Sequence, residues 1–185
     1  DQVVVCFLGD GAVNQGEFHE SLNLASVWKL PVLFFLENNL YGMGSYVEGT
    51  HSGGRDIYPG TSHYQRPSRQ IDGMELLATR EATREAVDYI RSGNGPYFLE
   101  ALTYRFRGHS MADPSDYRNK EEVEEWKLKD PLITFKKLGI VEGFFTEEDI
   151  NALEEEVEQV VEEAIKFADE SPEPPLDYLM DDIYA

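Results

Sequence analysis

Two short polar motifs follow two apolar runs, and together they could bind a phosphorylated ligand. Gly9-Asp10-Gly11 follows the run at residues 3–8, Asn38-Asn39 follows the run at 32–36, and 26 residues separate the motifs. A helical pattern at 16–29 lies between the runs, so the segment predicts a strand, a helix and a parallel neighbouring strand. Asp10 and Asn39 should then meet at the carboxyl edge of the sheet, where doubly wound proteins bind ligands.

The residue types at this edge favour a hard divalent cation. A carboxylate, an amide oxygen and backbone groups are ligands that Mg²⁺ or Ca²⁺ prefers. The glycines beside Asp10 allow a ligand to approach the backbone closely, whereas the competing structural role for Asp10 is to cap the following helix. Without Asp10, the two asparagines would read as ordinary turn residues. The motif is not a dinucleotide fingerprint, because the position of its third glycine holds Asn14.

The rest of the first 104 residues alternates between strand and helix patterns. Ile71 marks a short strand, a helix is predicted over about 75–91, and residues 97–104 read as a further strand. Repeated strand–helix–strand units indicate an α/β fold with a parallel sheet flanked by helices. The stretch 41–70 has little periodicity, and we expect a long loop that covers the ligand edge or packs on a partner subunit.

The C-terminal third is predicted to be helical and acidic. After a polar loop at 105–119, helices are expected at 120–128, at 131–138 and from near Thr146, where Thr146 and Asp149 form a cap signature. An apolar stripe along the last helix should pack on the sheet domain or on a partner. The predicted division is therefore a diphosphate- and metal-binding part at 1–119 and an acidic helical part at 120–185 packed on the same domain.

Charge and hydropathy exclude several classes of partner. Residues 1–119 carry 15 acidic and 10 basic side chains, residues 120–185 carry 21 acidic side chains and 6 lysines, and the net charge is −20. Such an acidic chain argues against nucleic acid and anionic membranes as partners. The acidic tail reads either as a solvated helix face or as a docking surface for a basic partner. Apolar runs of about six residues are too short for a membrane helix, and Cys6 is expected to be buried in the first strand.

Several blocks along the chain carry a family resemblance. The spacing of Gly-Asp-Gly and Asn-Asn resembles the signature of thiamine-diphosphate enzymes. With the surrounding residues, the chain looks like the alpha subunits of 2-oxo acid dehydrogenases, most of all those of pyruvate dehydrogenase. The matching blocks are residues 9–16, 27–31, 37–44, 72–74, 80–84, 104–114, 173–176 and 183–184.

The resemblance implies a thiamine-diphosphate-binding fold with thiamine diphosphate and Mg²⁺ as cofactors. By resemblance, Asp10, the Asn39 side-chain oxygen and the Tyr41 carbonyl would bind Mg²⁺, and the backbone N–H groups of Gly11 and Ala12 would hold the diphosphate at the start of the helix. His109 would contact the diphosphate near the reaction centre and could assist proton transfer.

The loop at 105–119 holds further candidate residues. Arg105, Arg107 and Arg118 flank it together with Asp113 and Asp116, and ion pairs that order the loop are favoured slightly over direct substrate contact. By resemblance, this loop must be ordered for cofactor and lipoyl-domain engagement. Ser110 matches a serine whose phosphorylation inhibits mitochondrial relatives, because added charge would repel the diphosphate and disorder the loop.

The activity implied by the resemblance is oxidative decarboxylation of pyruvate, with transfer of the acetyl group to a lipoyl group of a dihydrolipoyl acyltransferase. Its partners would be a beta subunit in an α₂β₂ assembly, the lipoyl domain and a small 2-oxo acid. The compartment would be the cytoplasm of a bacterium or the mitochondrial matrix of a eukaryote. Because relatives carry further strands and helices before the position of Asp1, we expect a partial chain that lacks the N-terminal part of the family fold.

Alternative activities remain open at this point. The residues at 43–44 and 109–114 look more like the pyruvate and acetoin enzymes than the branched-chain 2-oxo acid enzymes. A Mg²⁺-dependent phosphohydrolase with Asp10 as ligand or nucleophile is a second class. A non-catalytic interaction module is a third.

Overall fold

A computed structural model of the chain describes residues 1–181 and 183. Tyr184, the last residue of the predicted family blocks, lies outside this set. The chain divides into two compact units, the first spanning Asp1–Phe135 and the second beginning at Lys136. The division predicted at residue 119 stays a prediction.

A four-stranded parallel sheet forms the centre of the first unit. Its strands are β1 (Val4–Gly9), β2 (Val32–Asn38), β5 (Ser68–Asp72) and β6 (Tyr97–Leu102), and their order across the sheet is β1-β2-β6-β5. All three neighbouring pairs are parallel. The predicted α/β class and the parallel pairing of β1 with β2 are therefore confirmed. The register aligns the ends of the strands, with Gly9 opposite Glu37 and Asn38 opposite Leu102.

One helix covers each face of this sheet. On α1 (Gly16–Trp28), the buried residues Phe18, Leu22 and Ala25 recur at helical spacing and pack in one core cluster with Phe34 and Phe98. On α3 (Leu76–Tyr89), Ala82 and Ala86 belong to a second cluster with residues of the opposite strand faces, Leu33, Phe35 and Leu99. Because successive strand residues point to opposite faces, the near-continuous apolar strands supply both clusters.

The exposure and backbone conformation of residues at the sheet edge and at the helix ends have local explanations. β1 is an edge strand, so Phe7 is 65% exposed, and Cys6 is only partly buried, against the expectation of a buried strand residue. Lys29 ends α1 in a left-handed conformation with φ of 51°. The Glu75 carboxylate accepts hydrogen bonds from the N–H groups of Leu77 and Ala78 and caps α3.

The prediction of one long loop at 41–70 was wrong. The stretch contains the two-stranded antiparallel pair β3 (Tyr41–Gly42) and β4 (Ser45–Tyr46), the short helix α2 (Val47–Thr50), a 3-10 helix at Tyr58–Tyr64 and strand β5. These elements are too short to give a periodic pattern. Buried anchors such as Val47 and Ile57, each at most 2% exposed, fix them instead.

After β6 and the loop that follows it, the remaining elements of the described chain are helices. They are α4 (Lys120–Lys127), α5 (Pro131–Val141), α6 (Glu147–Glu170) and a 3-10 turn at Leu176–Met180. Thr146 and Asp149 form the predicted capping box at the start of α6. The apolar stripe of α6 is exposed, including Val157 and Ile165, so its predicted packing stays a prediction. Among the residues that the structure describes, no helix combines the length and apolar character needed to cross a bilayer.

Candidate cofactor and metal site

Asp10 and Asn39 meet at the carboxyl edge of the sheet. The Asn39 backbone N–H lies 3.4 Å from Asp10 Oδ1, across the gap between the ends of β1 and β2. Asp10 is 7% exposed. The carboxylate is therefore held at the edge where parallel sheets bind ligands, with little solvent around it.

A tight turn at residues 39–41 brings Asn39 Oδ1 and the Tyr41 carbonyl oxygen within reach of one donor. Asn39 Oδ1 accepts a hydrogen bond of 3.3 Å from the Tyr41 backbone N–H. Arg105 Nε lies 3.2 Å from Asn39 Oδ1 and 3.2 Å from the Tyr41 carbonyl oxygen. One cationic group thus contacts two of the three oxygens that the resemblance assigns to Mg²⁺.

This donor set suits a hard cation. It comprises a carboxylate, an amide oxygen and a main-chain carbonyl, and the guanidinium group shows that a positive charge can be shared by the last two. A Cβ atom added to Gly11 would meet no heavy atom within 4 Å, so the space in front of this backbone is open. Among residues 1–181 and 183, no group of three His, Cys, Asp or Glu side chains is placed to hold a metal.

Gly11 and Ala12 lie in a different local structure from the one predicted. Ala12–Asn14 forms a single 3-10 turn capped by Gly11, and α1 begins only at Gly16. The predicted start of the helix at Gly16 is confirmed, but Gly11 and Ala12 lie at the start of the preceding 3-10 turn and not of α1, and their role toward the diphosphate stays a prediction. A cavity of about 550 Å³ lies beside this turn, lined by residues that include Val13, Asn14 and His51.

His109 and Ser110 are exposed in the loop after β6. The His109 backbone N–H donates to Asp113 Oδ2 at 2.8 Å. Within the described part of the chain, no hydrogen bond joins His109 to Asp10, Asn39, Tyr41 or Arg105.

Hydrogen bonds, rather than the expected ion pairs, order the loop at 105–119. Asp113 accepts from the N–H groups of His109 and Ser115, and Tyr117 Oη lies 2.6 Å from Asp113 Oδ2 and 2.8 Å from the Gly42 carbonyl. The hydrogen bond from Tyr117, followed by that from His109, lowers the pKa of the Asp113 carboxyl. In the described residues, no ion pair within 4.0 Å links the loop arginines to Asp113 or Asp116.

Arg118 and Tyr41 connect this loop to the site. The Arg118 guanidinium donates to the Arg105 carbonyl oxygen and lies 5.4 Å from the centre of the Tyr41 ring. The Tyr41 hydroxyl donates to Glu122 Oε2 at 2.7 Å, and burial, followed by this hydrogen bond, raises the pKa of the Tyr41 phenol. The Tyr41 side chain is thereby held by Glu122 of α4 and by Arg118, and Arg118 also holds the Arg105 backbone.

Sequence reasoning missed a buried pair beneath the site. Glu100 and Asn38 are both fully buried, and Asn38 Nδ2 donates to Glu100 Oε1 at 2.7 Å. Glu100 interrupts an otherwise apolar strand, and an acid in such a run is the signal that could have identified it.

Comparison with known proteins relates the chain to one family. The model of the family described as "Dehydrogenase E1 component" matches residues 1–177. The alpha subunit of the pyruvate dehydrogenase E1 component from Rickettsia conorii is 42% identical over 96% of this chain and 54% of its own length. The human mitochondrial somatic form of that subunit is 42% identical over 100% of this chain and 47% of its own length.

A plant relative extends the range of sources. The chloroplastic alpha-3 subunit of the pyruvate dehydrogenase E1 component from rice is 40% identical over 99% of this chain and 43% of its own length. The chain spans about half the length of the curated relatives that it matches.

Proposed function

The chain belongs to the dehydrogenase E1 component family, and we propose that it is the part of a pyruvate dehydrogenase alpha subunit that binds thiamine diphosphate through Mg²⁺. Two contacts at the carboxyl edge of the sheet carry the proposal: the Asn39 N–H lies against Asp10 Oδ1, and one Arg105 Nε lies against both Asn39 Oδ1 and the Tyr41 carbonyl oxygen. Relatives named as alpha subunits of this enzyme support pyruvate over the other substrates.

Each residue of the group has a distinct role in this proposal. Asp10 supplies the formal negative charge that binds Mg²⁺, and Asn39 Oδ1 and the Tyr41 carbonyl complete the protein ligands. The N–H groups of Gly11 and Ala12 would hold the diphosphate. Arg105 contacts two of the oxygens in this structure; bound Mg²⁺ would replace it there and would leave its charge available to the diphosphate.

The loop residues would act at the rim of this site. When bound, thiamine diphosphate supplies the electron sink for decarboxylation of the 2-oxo acid. His109 would bind a diphosphate oxygen and would hold a proton close to the reacting centre. Asp113 positions His109 through the backbone hydrogen bond of 2.8 Å. Phosphorylation of the exposed Ser110 would place negative charge beside the diphosphate and weaken its binding.

The proposed function also implies the partners and the compartment. A beta subunit supplies the acid that activates the cofactor, the active assembly is α₂β₂, and the lipoyl domain of a dihydrolipoyl acyltransferase takes the acetyl group. The compartment is the cytoplasm for a bacterial chain and the mitochondrial matrix for a eukaryotic one. A chloroplastic relative adds the plastid stroma to these alternatives.

Reconstitution of the alpha subunit with its beta subunit tests the proposal. Acylation of a lipoyl domain is measured with pyruvate, acetoin and 3-methyl-2-oxobutanoate, each with and without thiamine diphosphate and Mg²⁺; the group transferred is acetyl from the first two and isobutyryl from the third. We expect pyruvate to give the highest kcat/KM and removal of either cofactor to abolish turnover. Preference for another substrate would correct the specificity. Release of phosphate from a generic ester without thiamine diphosphate would instead favour the phosphohydrolase.

A further inference from the structure

Glu100 is a buried carboxylate that the proposed mechanism does not use. It lies in β6, is fully buried, and accepts four hydrogen bonds from three N–H donors, because the Ile57 N–H is shared between its two oxygens. Asn38 Nδ2 lies 2.7 Å from Oε1, and the N–H groups of Ile57 and Tyr58 lie 3.1 Å and 2.8 Å from Oε2. Within the described residues, Glu100 has no cationic partner within 4.0 Å. A buried charge held by neutral donors alone needs an explanation.

Glu100 determines the orientation of the Asn38 amide. A carboxylate can only accept hydrogen bonds, so the Nδ2 end of Asn38 must face it. Nδ2 also donates to the Arg55 carbonyl at 2.9 Å, and Oδ1 on the other side accepts from the Leu40 N–H at 3.2 Å. Every polar atom of the Asn38 side chain therefore has a partner, and rotation of the amide would break all three bonds.

The bond from Leu40 lies in a strained turn. Leu40 has φ of +71° and is 1% exposed. Residues with a Cβ rarely adopt this left-handed conformation, and such positions persist only where their surroundings impose it. Asn38 Oδ1 bonds the Leu40 N–H, and the buried Leu40 side chain belongs to the core cluster on the α1 face of the sheet. The two contacts hold Leu40 in this conformation.

This turn presents the proposed metal ligands. Asn39 and Tyr41 are the residues immediately before and after Leu40, and their Oδ1 and carbonyl oxygens share the Arg105 Nε at 3.2 Å each. If Leu40 relaxed to negative φ, the chain after it would change direction and the two oxygens would no longer converge. The position of these oxygens thus depends on Asn38, and the orientation of Asn38 depends on Glu100.

We propose that Glu100 is a positioning residue that, through Asn38 and the left-handed Leu40, holds the Asn39 and Tyr41 oxygens in the geometry that binds Mg²⁺ and the diphosphate. This inference rests on the proposed function. Glu100 itself touches neither metal nor diphosphate. Its loss should therefore weaken cofactor binding and leave the chemistry of the saturated enzyme intact.

Glu100→Gln is the decisive variant because it changes one acceptor into a donor. Either its amide nitrogen faces Asn38 Nδ2, or it faces the N–H groups of Ile57 and Tyr58, so two donors oppose each other in both cases. In the assembled enzyme, calorimetric titration should give at least a tenfold higher Kd for Mg²⁺ at saturating thiamine diphosphate, equivalent to about 1.4 kcal/mol. We expect kcat at saturating cofactor to stay within twofold of wild type.

A double substitution tests the pairing itself. In Asn38→Asp with Glu100→Gln, the new carboxylate accepts from the Gln amide and from the Leu40 N–H, while the Gln oxygen accepts from Ile57 and Tyr58. Both Asn38→Asp alone and the double variant lose the donor to the Arg55 carbonyl, so these two are compared. The double variant should bind Mg²⁺ more tightly than Asn38→Asp alone, which places two carboxylates against each other. A double variant no better than Asn38→Asp would overturn the proposal.

Leu99→Val is the matched control for general loosening of β6. Leu99 is equally buried but packs in the cluster on the α3 face of the sheet. We expect a lower Tm and a Kd for Mg²⁺ within twofold of wild type, and an equal loss of affinity in Leu99→Val and Glu100→Gln would refute a positioning role. If Glu100→Gln does not assemble, Glu100→Asp replaces it. That variant keeps the charge but shortens the reach, and wild-type affinity in it would also refute the role.

Asp10→Asn separates this inference from the proposed function. If Asp10→Asn loses Mg²⁺ binding while Glu100→Gln keeps it, the positioning role fails and the proposed function stands. If Asp10→Asn binds Mg²⁺ like wild type, the metal assignment and the proposed function fail together.

Discussion

Replacing the Asp10 carboxylate by an amide of the same shape tests the metal assignment most directly. Asp10 carries the single formal negative charge among the three ligands, and at 7% exposure it is poorly screened by solvent. Removing one partner of a buried charge pair costs about 3–5 kcal/mol, so the Kd for Mg²⁺ with thiamine diphosphate should rise roughly 100-fold to 4,000-fold in Asp10→Asn.

The same substitution should hardly affect folding in the absence of cofactor. The hydrogen bond that Asp10 accepts from Asn39 is long, at 3.4 Å, and the amide oxygen of Asn can still accept it. We therefore expect the free energy of unfolding without ligand to change by less than about 1 kcal/mol. At a cofactor concentration of 100 times the wild-type Kd, ligand binding should stabilise wild type by about 2.7 kcal/mol, but a variant with 100-fold weaker binding by only about 0.4 kcal/mol.

Asp72→Asn provides a matched control for these measurements. Asp72 also precedes a glycine at the end of a parallel strand, and its carboxylate accepts from the Met74 N–H at 2.9 Å. Titration calorimetry and thermal unfolding of the assembled enzyme should show normal cofactor binding in Asp72→Asn. The assignment of Asp10 to the metal is refuted if Asp10→Asn binds with wild-type affinity, or if both variants lose binding to the same degree.

Three further changes test the loop and the second unit. The Asp113 pKa is lowered by its hydrogen bonds, so the loop order that it provides is complete above the unfolded pKa of about 3.9 and is lost as pH falls through the lower folded value. The protection factor of the His109 amide, which compares its exchange rate with that of an unstructured peptide at the same pH, should fall in that acid range, and Asp113→Asn should remove this pH dependence; a protection factor that stays constant with pH in wild type would contradict it. Thr146→Ala removes the cap of α6 and should cost about 1 kcal/mol of helix stability, measured by exchange in its first turn, whereas Thr146→Ser should retain it. Gly139→Ala makes the new Cβ overlap with the Phe145 ring and should lower the free energy of unfolding by about 1–3 kcal/mol; a variant with raised Tm would mean that helix propensity outweighs the overlap.

Local patterns predicted most of the sheet and its helices correctly. The apolar runs of β2 and β6 are largely buried on both faces, that of β1 pairs with β2 at the edge of the sheet, and such runs are visible without tertiary information. The helical spacing of Phe18, Leu22 and Ala25 likewise identified α1. The elements at 41–70 were missed because they are two to seven residues long and are held by distant contacts rather than by their own periodicity.

The candidate site also contains some residues that the sequence predicted and others that only the structure identified. Asp10 and Asn39 are strand-end residues, so parallel pairing of two consecutive strands was enough to bring them together. The groups that hold them could not be inferred from spacing, since Glu100 lies 62 residues from Asn38 and Glu122 lies 81 residues from Tyr41. His109 was grouped with the site by resemblance, and its contact in this chain is to Asp113.

The sequence by itself determined the alternation of strand and helix, and with it the edge at which Asp10 and Asn39 meet, because both depend on residues close together in the chain. Only the tertiary structure decided the positions of Asn39 Oδ1 and the Tyr41 carbonyl oxygen. The left-handed Leu40 and the Asn38 amide that supports it are imposed by Glu100 from a neighbouring strand, and the Tyr41 side chain is held by Glu122 from α4. A strained turn of this kind is stable only when packing and hydrogen bonds from remote segments fix it.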